Sequence, residues 1–145
     1  MQRLRQQPVL IGVGGAMIDG TAFLAAVPAL PVSDERRAVE FWTDVLGFAE
    51  LHDGDKGLGI LRRDAVEVHV WVADGSAPGA ERHLAGSASC RLQVQGVDAL
   101  YQRCERAGVV HPNAPLADQP WGTREFGVLD PDGNLIGLYE RRTDG

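Results

Sequence analysis

The sequence predicts an α+β domain of two strand-helix-strand-strand modules related by pseudo-twofold symmetry, and three observations carry that reading. A pattern recurs: Leu30 and Val32 match Leu92 and Val94 at an offset of 62, Leu46-Gly47 matches Ala107-Gly108 at 61, and Gly59-Ile60-Leu61 matches Gly127-Val128-Leu129 at 68. Residues 66–72 alternate, with Val66, Val68, Val70 and Val72 on one face and Glu67, His69 and Trp71 on the other, as a strand covered on one side requires. Asp130-Pro131-Asp132-Gly133-Asn134 must reverse the chain between two apolar runs, because proline fixes φ while Gly and Asn accept positive φ.

The elements follow in order. Residues 23–32 read as a strand, with Pro28 and Pro31 marking an edge or an interruption of its ladder. Ser33 or Asp34 caps a helix whose buried stripe is Ala38, Val39, Phe41, Trp42, Val45 and Leu46, and Gly47 ends it. Strands at 58–62 and 66–72 flank the turn Arg63-Asp64-Ala65. Residues 73–88 are a linker of small residues without periodicity. The pattern then restarts. A strand at 89–95 turns Cys90, Leu92 and Val94 to one face. The helix at 97–107 turns Val97, Leu100, Tyr101, Cys104 and Ala107 inward, before the hairpin 126–129 and 135–139. A further short strand after each helix would complete both modules. The resulting division is an extension at 1–22 and one domain at 23–145, with module one at 23–72, the linker at 73–88 and module two at 89–141.

The totals bound the function. The chain of 145 residues, 44% hydrophobic and 23% charged, has the composition of a soluble globular domain with no apolar run of membrane-spanning length. Its formal charge of -6, without a basic cluster, disfavours nucleic acid and suits a cationic small molecule. Cys90 and Cys104 form no CxxC pair; they fit a reduced cytoplasmic chain and leave a single disulfide open. The run Val9 to Ile18, behind Arg3 and Arg5, faintly resembles a signal peptide and reads better as an extension that packs on the domain.

The uncovered strand faces hold the candidate site. Glu67, His69 and Trp71 in one half, and Ser89, Arg91 and Gln93 in the other, mix aromatic and hydrogen-bonding groups, which suits a lined crevice or a dimer interface made from the same surface. Pro120-Trp121-Gly122 sets a tryptophan on a stiffened loop. Those three residues alone favour a cover for the core edge over a stacking surface. The repeat picks out Val27, Ser89, Glu67 and Gly137 as related positions where a metal could be held, yet only Glu67 is a strong donor, and His69 beside it does not close a coordination shell. His52, His83 and His111 lack ligand spacing, and no serine or threonine has a convincing base. The residues argue for a binder over a catalyst.

With both modules in view, the chain resembles the vicinal-oxygen-chelate superfamily, which comprises glyoxalases, bleomycin-resistance proteins and dioxygenases, and within it the bleomycin-resistance group. The resemblance rests on Ala26-Val27-Pro28-Ala29-Leu30, the helix from Ala38 to Phe48, Gln119-Pro120-Trp121-Gly122 with Arg124-Glu125-Phe126, and the turn from Asp130 to Asn134. It implies paired βαβββ modules, sheets curled around a crevice, and a homodimer with drug-binding crevices at its interface. Members of that group sequester a glycopeptide antibiotic without modifying it. The superfamily's enzymes place metal ligands at the four positions named above, where this chain has Val27, Glu67, Ser89 and Gly137. The resemblance therefore implies no catalytic residues, cofactor or metal. It makes Trp121, with Gly122, the surface that stacks on the drug's planar bithiazole, with Glu67, His69, Trp71, Arg91, Gln93 and the loop His52-Asp53 lining the rest. The expected partner is a bleomycin-type antibiotic, metal-free or metal-bound, with no direct contact to nucleic acid or membrane. A metal-dependent enzyme of glyoxalase, dioxygenase or thiol-transferase type, using Glu67 and His69, is the alternative; a third reading gives the crevice another small ligand. The extension, the linker and Arg91, which stands where some members have an aromatic, depart from the group's pattern.

Overall fold

The computed structural model describes residues 19–52 and 57–143. The expectations for residues 1–18 and for Asp53 lie outside them. Two four-stranded mixed sheets form the frame. The first holds β1 (Ala29–Val32), β2 (Ala49–His52), β3 (Leu58–Arg63) and β4 (Val66–Val72) in the order β1-β4-β3-β2. The second holds β5 (Ser89–Gln93), β6 (Ala117–Asp118), β7 (Thr123–Leu129) and β8 (Leu135–Arg141) in the order β5-β8-β7-β6. In each sheet the first strand runs parallel to the last and the remaining pairs are antiparallel. A parallel pair needs a crossover, and α1 (Glu35–Glu40) and α2 (Val97–Arg106) begin those crossovers.

The first strand is shorter than its sequence suggests. Its ladder with β4 opens at Ala29, after Pro28, and the residues before it have no regular structure, with Phe23 fully exposed. α1 is capped by Asp34, whose Oδ1 accepts the Arg37 amide at 3.0 Å. It then widens into a π-helical turn at Phe41–Val45, a feature the apolar spacing does not announce. Gly47 follows in the left-handed region. In α2 the expected stripe forms around fully buried Val97 and Cys104, but Ala107 is the C-cap and is exposed. Both cysteines are free thiols. No helix among the described residues is long and apolar enough to cross a membrane.

The strand pairing corrects part of the repeat. Gly59 faces α1, since a Cβ there would meet Val39 and Val70, whereas Gly127 faces the opposite side of its sheet, between buried Phe126 and Val128. The offset of 68 thus pairs residues from opposite faces; 67, which matches Gly59 to Phe126, keeps them together. A single-residue slip reverses every side chain of a strand, and two glycines carry no facing information to detect it. On the first and last strands, Ala29 pairs with His69 while Arg91 pairs with Gly137. With the offset of 62, Gly137 therefore answers His69, and Leu135 answers Glu67.

One core serves both sheets. Leu30, Leu61, Val68 and Val70 from the first and Val128, Ile136 and Leu138 from the second are at most 2% exposed, with Val39, Trp42 and Leu46 beside them. Burying each such side chain contributes about 1.5–3 kcal/mol. Trp42 packs edge-on against Phe48 with ring centroids 4.9 Å apart.

The β7–β8 turn joins the halves. Asn134 is fully buried; its Nδ2 donates to Pro31 O at 2.8 Å and its Oδ1 accepts the Ala88 amide at 3.0 Å. Ser33 Oγ donates to Asp132 Oδ1 at 2.5 Å, and Arg37 reaches Pro131 O at 3.1 Å. The turn lies so close to the linker that a Cβ on Gly86 would fall 2.0 Å from Asp132 O, and Gly86 has φ +82°. Only glycine fits there.

Candidate functional site

The side chains of β4 divide as the alternation requires. Val68 and Val70 are buried toward the helix, while Glu67, His69 and Trp71 are half-buried on the open face. Register supplies their neighbours: Arg62 lies opposite Glu67, Ile60 opposite His69, and Leu58 and Pro31 flank Trp71. Glu67 is gripped at both oxygens, Oε1 by Arg62 Nη2 at 3.1 Å and Oε2 by His69 Nε2 at 2.9 Å. The hydrogen bond from His69, then that from Arg62, holds its carboxyl below the usual glutamate range.

The open face of the second sheet carries Ser89, Arg91 and Gln93 on β5, all exposed, beside Tyr139 on β8 and Glu125 on β7. Arg91 Cζ lies 4.3 Å from the Tyr139 ring centroid and its Nη2 is 2.6 Å from Glu125 Oε2. Trp121 stands at the head of β7, 63% exposed, with its indole Nε1 3.5 Å from the same carboxylate oxygen. The turn behind it closes through the Gly122 amide on Gln119 O at 3.1 Å, with Gly122 at φ +90°, where a side chain would strain the backbone.

The candidates are therefore brought together in part. Glu67, Arg91 and Gln93 line one groove of ≈460 Å³ where the modules meet, with Val27, Pro28 and Ser89 on its walls. His69 adjoins the groove through Glu67, and Trp121 with Gly122 connects to it through Glu125 and Arg91. Trp71 lies farther along β4. His52 closes β2 opposite Ile60. A larger hollow of ≈740 Å³ opens on the helix side, between Leu46 and Phe48 of one half and Leu92 and Leu100 of the other. It contains none of the exposed aromatics. Its two arginines are spent on backbone, Arg63 on Leu46 O at 2.7 Å and Arg103 on Asp44 O at 3.1 Å, where they cap a helix end. The open face remains the better site.

Sequence reading missed Glu125, Tyr139 and Arg62. Each belongs to a strand face whose identity depends on register, although alternation along β7 from buried Phe126 would have placed Glu125 outward. The metal positions of the superfamily fit poorly. Val27 carries no donor and is 41% exposed, Gly137 and its corrected counterpart Leu135 carry none, and Glu67 is already bound on both oxygens. Among the described residues no group of three or more His, Cys, Asp or Glu could hold a metal ion.

Two βαβββ modules with helices on one side and a polar, aromatic open face on the other define a crevice-forming α+β protein. The comparisons place it further. The model of the Glyoxalase/Bleomycin resistance protein/Dioxygenase superfamily matches residues 24–138, and the chain belongs to that superfamily. It is 40% identical over 129 residues to a bleomycin resistance protein of Geobacillus stearothermophilus, covering 81% of this chain and 97% of that one. The bleomycin-binding protein of the producer Streptomyces verticillus, solved with copper(II)-bleomycin, aligns with a TM-score of 0.66 at 32% identity, over 81% of this chain and 96% of its own. The bleomycin resistance determinant of transposon Tn5 aligns at 0.65 and 26% identity, over 82% and 98%.

Proposed function

We propose that this chain confers resistance by binding a bleomycin-type antibiotic without modifying it, in crevices of a cytoplasmic homodimer. The observation that carries the reading is Trp121: an indole 63% exposed, on the open sheet face, in a chain 40% identical to a bleomycin resistance protein. An exposed indole costs solubility and gives the fold little in return, so a ligand that stacks on it explains its placement. Stacking adds about 0.5–1.5 kcal/mol beyond area burial. Useful sequestration needs micromolar affinity or better, about -8 kcal/mol. Trp121 therefore cannot act alone, and Glu67, His69, Trp71, Arg91 and Gln93 supply the additional surface. The drug's cationic tail is favoured by the net charge of -6. The protein needs no metal or cofactor of its own, whether or not the drug carries one.

Calorimetric titration with metal-free and with copper-loaded bleomycin tests this. The expected result is micromolar or tighter binding, one drug per subunit, a dimer by sedimentation equilibrium, and drug of unchanged mass afterwards. No heat at drug concentrations of tens of micromolar would remove the antibiotic, and a drug of altered mass would make the protein an enzyme.

A further inference from the structure

A cationic ligand makes Arg91 a puzzle, since an uncompensated guanidinium in the crevice would repel it. Glu125 resolves the puzzle and does more. Its Oε2 accepts from Arg91 Nη2 at 2.6 Å and from Thr123 Oγ1 at 2.8 Å, and faces the Trp121 indole Nε1 at 3.5 Å. Thr123 is only 4% exposed, so the carboxylate stands on a fixed foot, while the two groups it reaches outward are mobile by nature: Trp121 is 63% exposed and the Arg91 side chain 55%. The strand register allows this. Glu125 pairs with Tyr139, and Arg91 pairs with Gly137, whose missing side chain leaves room for the arginine stem: a Cβ there would come within 3.2 Å of Arg91 Cγ. Arg91 can then place its Cζ over the Tyr139 ring, 4.3 Å from the centroid.

Binding must otherwise freeze such side chains at an entropic cost. Resting on the sequestration reading, we propose that Glu125 is the positioning residue of the binding surface: one carboxylate oxygen sets the planes of the Trp121 indole and the Arg91 guanidinium before the ligand arrives. A flat aromatic group of the ligand then meets prearranged planar surfaces, and the arginine charge is neutralised where a cation must approach. Glu125 acts through these two side chains and needs no ligand contact of its own.

Two measurements on the intact chain, Glu125→Gln and Glu125→Ala test the proposal. The first needs no ligand. The Trp121 indole N–H resonance, identified among the three tryptophans by its loss in Trp121→Phe, is followed through an acid titration. Partial burial raises the Glu125 pKa, but the hydrogen bonds from Thr123, Arg91 and Trp121 outweigh it and leave the carboxyl below the usual glutamate range. The wild-type resonance is therefore expected to shift with a midpoint in that lowered range, and the shift to vanish in Glu125→Gln. A resonance indifferent to pH, or one that titrates alike in both proteins, overturns the proposal. The second measurement is calorimetric affinity for bleomycin. About tenfold weaker binding is expected in Glu125→Ala, with Glu125→Gln, which keeps an acceptor oxygen, recovering part of it. An alanine variant that binds like wild type overturns the proposal. Should that variant fail to fold, Glu125→Gln against wild type decides, and equal affinity refutes the role. If wild type binds no bleomycin, the sequestration reading fails and the indole titration alone decides whether Glu125 holds Trp121.

Discussion

At the scale of single residues, the site is a set of paired groups on open strand faces. Trp121 was legible because Pro120 and Gly122 stiffen its loop, but those neighbours alone favour a cover for the core edge; its 63% exposure corrects that reading and leaves the indole facing outward. Trp121→Ala is expected to weaken drug binding at least tenfold, about 1.4 kcal/mol, with the thermal midpoint unchanged, as parallel titration and melting would show. Equal affinity would take Trp121 out of the site. Glu67 offers a second test. Its folded-state pKa is depressed by His69 first and Arg62 second, so its contribution to stability is complete above the ordinary glutamate pKa and is lost as pH falls through the lowered value. The difference in melting temperature between wild type and Glu67→Gln should therefore be constant near neutrality and shrink below about pH 4.5, where the free carboxyl begins to protonate. A difference that grows in acid would mean the carboxylate is not stabilised where it stands.

At the scale of elements, the turn from Asp130 to Asn134 was readable as a turn, and its role as a fastening was not. Local chemistry dictates the reversal, but the partners Pro31, Ser33 and Arg37 lie about a hundred residues away in sequence, and only tertiary structure brings them in. Asn134→Ala takes the donor from buried Asp130 Oδ2 and the acceptor from the half-buried Ala88 amide, while the Pro31 carbonyl keeps the Gly86 amide at 3.1 Å. A buried group left without its partner costs about 1–3 kcal/mol, so a loss of at least that size is expected in urea unfolding, with an unchanged slope. A loss of under half a kilocalorie would make the fastening incidental. The strands and α2 were legible from period and punctuation. The π turn in α1 and the single-residue slip between the glycine pairs were not, because an apolar stripe tolerates both.

At the scale of the molecule, pseudo-symmetry and charge were both visible in the sequence. The matching orders β1-β4-β3-β2 and β5-β8-β7-β6 are the repeat made physical. Sequence patterns could not show how closely the two open faces cooperate, since that depends on how the modules meet. The charge of -6 makes a prediction at this scale: raising salt from about 0.1 to 1 M, which cuts the screening length from about 10 to 3 Å, should weaken binding of a cationic drug several-fold without abolishing it, whereas an affinity constant across that range would leave charge no part in recognition. The fastening at Asn134 reaches further still. With its neighbours in the turn it ties the halves together through Pro31, Ser33 and Arg37, while the covalent path between them runs through exposed residues 74–79. The peptide connection is thus one of several links between the two modules. Severed in that loop, they should stay together as complementing fragments, behaving as a heterodimer whose two subunits happen to share one gene.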